Sequence, residues 1–258
     1  MGLRHHLERA SRGVVLKRHL PSEFLRLPIY VSPDASLRYW LPISHSDPML
    51  FRMARELVKP SASVWDVGAN VGLFSVCASA LAGEAGHVLA IEPDVRLCQL
   101  IAKSATRISR RGGTAPIDVL CAAVSSTEGV SRLLISDRSR AANHLQECAG
   151  SSQAMGARAA QPTVTVSLDA LLPHFPPPSV LKIDVETHEL EVLRGAAKLL
   201  RISKPTIWCE VCPERSVEVF QLLDSIGYTL YAAATPGPDR TRLSKRASWD
   251  TLALPGRE

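Results

Sequence analysis

From about residue 60 onward, short apolar runs alternate with longer stretches whose apolar positions recur every third and fourth residue. The short runs at 63–67, 87–91, 117–124, 180–185 and 206–211 predict strands. The periodic stretches at 71–82, 94–108, 189–200 and 214–226 predict helices, three of them stopped by Gly83, Gly112-Gly113 and Gly227. Further strands are expected at 130–135, 163–167, 228–232 and 249–254, and Ser167-Leu168-Asp169 starts a short helix. Upstream, 47–58 predicts a helix with Asp47 as N-cap and Pro48 in its first position. Strands alternating with helices imply an α/β fold: a Rossmann-like, doubly wound, mostly parallel seven-stranded sheet with an antiparallel edge strand.

Residues 1–45 carry no strong periodicity and are punctuated by Pro21, Pro28, Pro33 and Pro42. They are expected to form a short helix and a small β segment, an N-terminal extension placed to cap a substrate. Residues 46–258 form the main domain, and 136–162, rich in Ser, Ala, Gly, Gln and Arg, is expected as a flexible loop within it.

Composition narrows the class. A hydrophobic fraction of 46% is that of a globular protein, and no apolar run is long enough to cross a bilayer. The first twenty residues lack the apolar core of a signal peptide, and His6 stands where a myristoylation signal wants Ser or Thr, so a cytoplasmic protein is expected. Of the six cysteines, Cys209 and Cys212 form a lone Cys-x-x-Cys with no second pair at ligand spacing, so the cysteines are read as core residues and no metal is expected. The net charge of +5 is concentrated near the N-terminus and in Arg240, Arg242, Lys245 and Arg246. Such patches attract phosphates, nucleic acid or acidic lipid, although a merely solvated surface explains them as well.

The chemistry is densest where strand 63–67 ends. Ligands of open α/β sheets bind beyond the carboxyl ends of strands, and Asp66, Glu92, Ala122, Asp184, Glu186 and Glu210 all lie at or just past such ends. Gly68 and Gly72 supply a turn that a backbone-hugging ligand requires, and the helix that follows aims its amides at the site. A nicotinamide dinucleotide needs Gly-x-Gly-x-x-Gly, but Asn70 and Leu73 occupy the second and third glycine positions, and Asp66 would repel a pyrophosphate. A carboxylate there suits a cation. S-adenosyl-L-methionine carries an ammonium and a sulfonium for Asp66 to face directly or through water, and a ribose diol for Glu92.

Asp66-Val-Gly-Ala-Asn-Val-Gly-Leu-Phe-Ser75, Ile91-Glu92-Pro93, Ser167-Leu168-Asp169-Ala-Leu-Leu and Leu181-Lys182-Ile183-Asp184-Val185-Glu186, followed by Leu190-Glu191-Val192-Leu193-Arg194-Gly195-Ala196, resemble FkbM-type methyltransferases over roughly residues 60–232. The resemblance implies an S-adenosylmethionine-dependent enzyme that methylates a hydroxyl on a sugar or polyketide-like metabolite. It implies cofactor binding by Asp66, Gly68, Asn70, Gly72 and Glu92, with the backbone of Ala122 and Ala123 near the adenine. Thr187 and His188 depart from it, standing where the family usually has a small pair of residues.

Methyl transfer needs an aligned acceptor and a way to manage its proton. Asp184 at its strand end is the first candidate to orient the acceptor or act as base. Glu186, His188 and Glu210 are the further candidates, and Lys182 is expected to form an internal ion pair. The expected partner is a small-molecule or glycan acceptor, which the basic termini allow to be phosphorylated. A nucleic-acid methyltransferase is the second reading, supported only by those basic ends, and a non-catalytic S-adenosylmethionine-binding protein the third.

Overall fold

The computed structural model describes residues 3–148, 156–235 and 237–256. The chain opens with α1 (Leu3–Ala10) and a hairpin of β1 (Leu16–His19) and β2 (Pro28–Val31), then α2 (Pro48–Leu57). Asp47 caps α2 by accepting the Leu50 N–H at 2.9 Å. There follow β3 (Ser63–Val67), α3 (Leu73–Ala82), β4 (His87–Ile91), α4 (Val95–Ser109), β5 (Ile117–Leu120) and β6 (Ala123–Val124). Next come β7 (Gly129–Ser136), β8 (His144–Leu145), β9 (Ala157–Val166), α5 (Leu168–Leu171), β10 (Val180–Ile183), α6 (Glu189–Arg194) and α7 (Ala197–Ile202). The chain closes with β11 (Thr206–Glu210), α8 (Ser216–Ser225), β12 (Tyr228–Ala232) and β13 (Asp250–Pro255).

Seven strands form the main sheet in the order β12-β13-β11-β10-β3-β4-β5. Neighbours among β11, β10, β3, β4 and β5 are parallel, and β13 is antiparallel to both β11 and β12. The expected α/β sheet is present, with one refinement. The antiparallel strand lies one place inside the edge, because β13 returns into the gap between β11 and β12. The chain winds from β3 through β4 to β5 on one side and resumes at β10 on the other, so the strand order reverses between β3 and β10.

Central strands are buried on both faces, and their alternation divides the core in two. Val64 and Val88 pack with Met53, Phe74 and Leu97 of α2, α3 and α4. Trp65, Val67, Leu89 and Ile91 pack with Leu193, Leu199 and Val219 of α6, α7 and α8. The N-terminal hairpin joins the first of these cores through Ile29 and Val31. All six cysteines are free, with Cys209 and Cys212 buried.

Three expected elements differ. The strand predicted at 117–124 breaks after Leu120, where the Ala122 N–H turns back to the Leu120 carbonyl at 3.1 Å; β6 then pairs with β9 instead of β4. The helix predicted at 189–200 is interrupted at Gly195, whose added Cβ would lie 2.2 Å from the Ser125 carbonyl oxygen, so the backbones there can touch only through glycine. The loop expected at 136–162 is partly sheet: β6, β9, β7 and β8 form a second, four-stranded sheet, and β9 starts at Ala157. Its first half is Ala, Arg and Gln, with only the alanines exposed, so no apolar alternation betrays the strand. Residues 149–155 of that loop lie outside the described residues.

Candidate active site

The turn after β3 is dictated by its neighbours. The N–H groups of Gly68 and Ala69 both donate to the Ile91 carbonyl, at 2.9 and 3.1 Å. Gly68 has φ +74°, and a Cβ on it would lie 1.9 Å from the Asp184 carbonyl oxygen. No other residue fits there, because the turns after β3 and β10 are stacked backbone to backbone. Asn70 is also left-handed at φ +54°, and its side-chain oxygen accepts the Val71 N–H at 2.8 Å.

This turn holds Glu92. Its carboxylate accepts the Asn70 N–H at 2.8 Å on one oxygen and the Asp94 N–H at 2.9 Å on the other. Burial pushes its pKa up to about 8, outweighing those two donors. Each oxygen keeps a further lone pair, and Glu92 lines a cavity of about 380 Å³. Gly68, Asn70, Ala122 and Ala123 line the same cavity.

Asp66 is not brought to that cavity. It is 0% exposed, accepts the Ser75 hydroxyl at 2.6 Å, and pairs with Lys182 at 3.1 Å. The Lys182 ammonium also lies 3.3 Å from Asp184 and donates to the Gly68 carbonyl at 3.3 Å. Burial alone would lower the lysine pKa, but the carboxylates of Asp184 and Asp66 more than offset it and raise it. The ion pair expected of Lys182 is therefore present, and it is Lys182 that reaches the cavity wall. Gly72 does not line the cavity either. It starts α3 at φ +80°, with Ile101 of α4 only 3.1 Å from where its Cβ would sit.

The same cavity gathers all four sequence-predicted catalytic candidates: Asp184, Glu186, His188 and Glu210. Asp184 follows β10, with its N–H on the Val67 carbonyl at 3.0 Å and its side chain 40% exposed. Glu210 ends β11; burial, with Asp184 adding to it, pushes its pKa up to about 8. His188 sits between the Ser125 hydroxyl, 3.0 Å from Nε2, and the Cys148 thiol, 3.1 Å from Nδ1. Burial lowers its pKa. Between Glu186 and His188 stands Thr187 at φ +65°, a conformation that a β-branched residue rarely adopts. The departure from the family pattern thus falls on a strained residue, its N–H tied to Glu189 at 3.1 Å.

Sequence reasoning missed several polar residues and a tryptophan of the wall. Arg38, Tyr39 and Asp47 reach the cavity from the N-terminal segment, Arg140 and Asn143 from the stretch between β7 and β8, and Trp249 from the turn before β13. Asp47 was legible only as a helix cap. Burial, followed by the Asp47 charge, raises the Tyr39 hydroxyl pKa. These parts are fastened by a buried clamp. Arg140 pairs with Asp34 at 2.8 Å and with Asp94; Arg158 pairs with Asp34 at 2.8 Å, and Asn143 donates to Asp94 at 2.8 Å. The Asp94 N–H also donates to Glu92, so the clamp abuts that carboxylate.

A seven-stranded sheet with an inserted antiparallel strand, a cavity at the reversal of strand order and a buried acidic strand end define the class I S-adenosylmethionine methyltransferases. Residues 66–230 match the Methyltransferase FkbM domain, and the chain belongs to that family. It is an S-adenosylmethionine-dependent methyltransferase, with S-adenosyl-L-methionine as cofactor. Among solved structures it is similar to an FkbM methyltransferase from Methylobacillus flagellatus KT, at 15% identity and TM-score 0.47, over 79% of this chain and 49% of that one. The present chain thus spans about half the length of that protein. It is also similar to a precorrin-6Y C5,15-methyltransferase from Geobacter metallireducens GS-15 (13% identity, TM-score 0.45, 82% of this chain and 89% of that one). A third is an S-adenosylmethionine-dependent O-methyltransferase from Thermotoga maritima (14% identity, TM-score 0.42, 80% and 64%). No curated protein matches the chain. Among the described residues, no helix is long and apolar enough to cross a membrane.

Proposed function

We propose that this methyltransferase acts on a hydroxyl of a small polar acceptor, a sugar or a secondary metabolite, with Glu210 taking the proton. The observation that carries the reading is Glu210 itself: a carboxyl at a cavity wall, raised to about 8, beside Asp184. A base with a pKa near the working pH is suited to removing a hydroxyl proton as the oxygen attacks. The cofactor supplies an activated methyl group, so the protein's task is alignment and proton management.

The donor set at the other end fits that cofactor. Glu92 has lone pairs free toward the cavity for a ribose diol, Gly68 and Asn70 offer close backbone, and Ala122 and Ala123 leave room for a flat ring. Asp66 acts through Lys182, fixing the ammonium that in turn orients Asp184. Gly72 seats α3 against α4. Glu186 and Asp184 are assigned to hold acceptor hydroxyls. His188, with both ring nitrogens engaged, is assigned to hold the loop and not to remove the proton. The N-terminal segment caps the acceptor, which its Arg38 and Tyr39 support. Six free cysteines support a reducing compartment, the cytoplasm.

The test is transfer of a labelled methyl group from S-adenosylmethionine to a metabolite extract, with products resolved by mass spectrometry. An oxygen-linked methyl on a small molecule is expected, with kcat/KM rising through an apparent pKa near 8 in the wild type and no such inflection in Glu210→Gln. Label found on nitrogen or carbon, or only in nucleic acid, would overturn the acceptor class.

A further inference from the structure

Helix α4 links the cavity to a second feature at its far end. Its N-cap, Asp94, belongs to the clamp beside Glu92. Its 15 residues then carry the chain about 22 Å away, at about 1.5 Å per residue. There Arg107, Arg110 and Arg111 face Lys17 and His19 of β1 across a cleft of about 360 Å³. Pro28 is the remaining lining residue, and no Asp or Glu lines the cleft.

The helix itself is built one-sidedly. Between Val95 and Ser109 it has no Asp or Glu, and Lys103, Arg107 and Arg110 fall at helical spacings of four and three, on one face. Like charges so spaced disfavour the helix unless an anion relieves them. The negative end of the helix dipole accounts for arginines in its last turn, but not for a lysine and a histidine on a strand opposite. Lys17 and His19 share that exposed side because they alternate with half-buried Leu16 and Arg18. Among the described residues, none of Lys17, Arg107, Arg110 and Arg111 pairs with a carboxylate.

The walls are fixed relative to one another. The Tyr30 N–H of β2 donates to the Ser104 hydroxyl of α4 at 3.0 Å, and the Lys103 ammonium lies 4.2 Å from the centre of the Tyr30 ring. Arg111 donates to the Arg26 carbonyl at 3.3 Å, in a hairpin tip where Leu25 and Arg26 are consecutively left-handed at φ 57° and 49°. The cleft is therefore preformed.

We propose that this cleft is a second binding site, taking a small ligand that carries two or more linked phosphate groups. One phosphate is satisfied by two or three donors, whereas four cationic residues and a histidine on two walls suit a chain of phosphates lying between them. The volume is that of a small-molecule site, and no Phe, Tyr or Trp lines it to stack a base, which favours phosphate recognition over nucleic acid. The distance along α4 separates this site from the reacting methyl group, so it holds a carrier or a regulator and not the transferred group's acceptor atom.

The experiment is calorimetric titration of the full chain with inorganic tripolyphosphate and, separately, inorganic phosphate, at matched ionic strength. Saturable one-to-one binding is expected, at least tenfold tighter for tripolyphosphate. An Arg107→Gln/Arg110→Gln variant should lose at least tenfold in affinity, and Lys17→Gln, on the other wall, several-fold. Binding of S-adenosylmethionine should stay within twofold in both variants, which shows that they are folded and keeps this test separate from the cofactor assignment. No saturable heat, or unchanged affinity in both variants, would overturn the proposal. A 20-base-pair RNA duplex that binds tighter than tripolyphosphate, and is lost in the same variants, would also overturn it in favour of nucleic acid. Soluble inositol trisphosphate and vesicles containing phosphatidylinositol bisphosphate then separate the sources. Equal affinities support a free polyphosphate ligand, and tenfold tighter vesicle binding supports a lipid headgroup.

Discussion

At one end of the cavity, Gly68, Asn70 and Glu92 belong to a single strand–turn–helix–strand unit, and backbone amides set their positions. At the end assigned to the acceptor, Arg38, Asp47, Glu210 and Trp249 come from four separate stretches of chain, and Arg140 adds a fifth, held by buried ion pairs to Asp34 and to Asp94 beside Glu92. The first end depends on local geometry, the second on long-range electrostatics. A change at the cofactor end should therefore disturb binding of S-adenosylmethionine directly. A change at the acceptor end should alter acceptor selection and leave cofactor affinity nearly untouched.

The largest effect should come where the two ends share a residue. Lys182→Met leaves Asp66, fully buried, with its countercharge gone. Removing one partner of a buried pair costs about 3–5 kcal/mol, so thermal unfolding should show the steepest loss of Tm here, with activity lost as well. A variant as stable as the wild type would show that this pair does not join the ends.

Glu92→Gln breaks only the cofactor end. At about pH 9, where Glu92 accepts as a carboxylate, losing a charge-assisted acceptor costs about 1.5–3 kcal/mol, so calorimetry should show S-adenosylmethionine binding weakened by at least about tenfold. Stability should move the other way. The folded pKa of about 8 exceeds the ordinary 4.5, so the fold favours the protonated acid. That stability is fully present below about 4.5 and is lost as pH rises through about 8. The free variant should therefore gain Tm relative to wild type at pH 8.5 and not at pH 4.5.

Trp249→Ala breaks only the acceptor end. The side chain is 54% exposed at the cavity wall, so stability should change by less than about 0.5 kcal/mol. The KM for the acceptor found by methyl labelling should rise several-fold with cofactor affinity unchanged. Weakened cofactor binding would mean that the ends are not separable. The smallest effect is expected for Thr187→Gly, which relieves a left-handed threonine and should raise stability by up to about 1 kcal/mol. A kcat that falls at the same time would tie that strain to placing Glu186 and His188.

The same contrast explains what the sequence made legible. Strand ends, glycine turns and helix caps are local, so 63–67, 87–91 and 228–232 are predicted with their observed bounds, and the cofactor turn falls where it should. Glu92, Asp184 and Glu210 could be placed because a strand end is readable from its apolar run. Asp66 shows the limit: its position just before the turn was clear, but whether its carboxylate faces a ligand or Lys182 depends on β10, over a hundred residues away. Arg140 and Asp34 gave no signal at all. Each is an ordinary polar residue in irregular chain until the fold brings them together. The start of β9 was hidden for a related reason, since its pairing with β7 depends on backbone bonds and not on a buried face.

The clamp of Asp34, Asp94, Arg140 and Arg158 also restricts how this enzyme can diversify. Altering any one of the four strands a desolvated charge on the others, so these positions can be exchanged only as a set. New acceptor preferences are then reachable one substitution at a time only through the uncommitted neighbours in the same wall, such as Ala141 and Trp249. Those are the positions at which a library screened for altered specificity should keep most of its members folded.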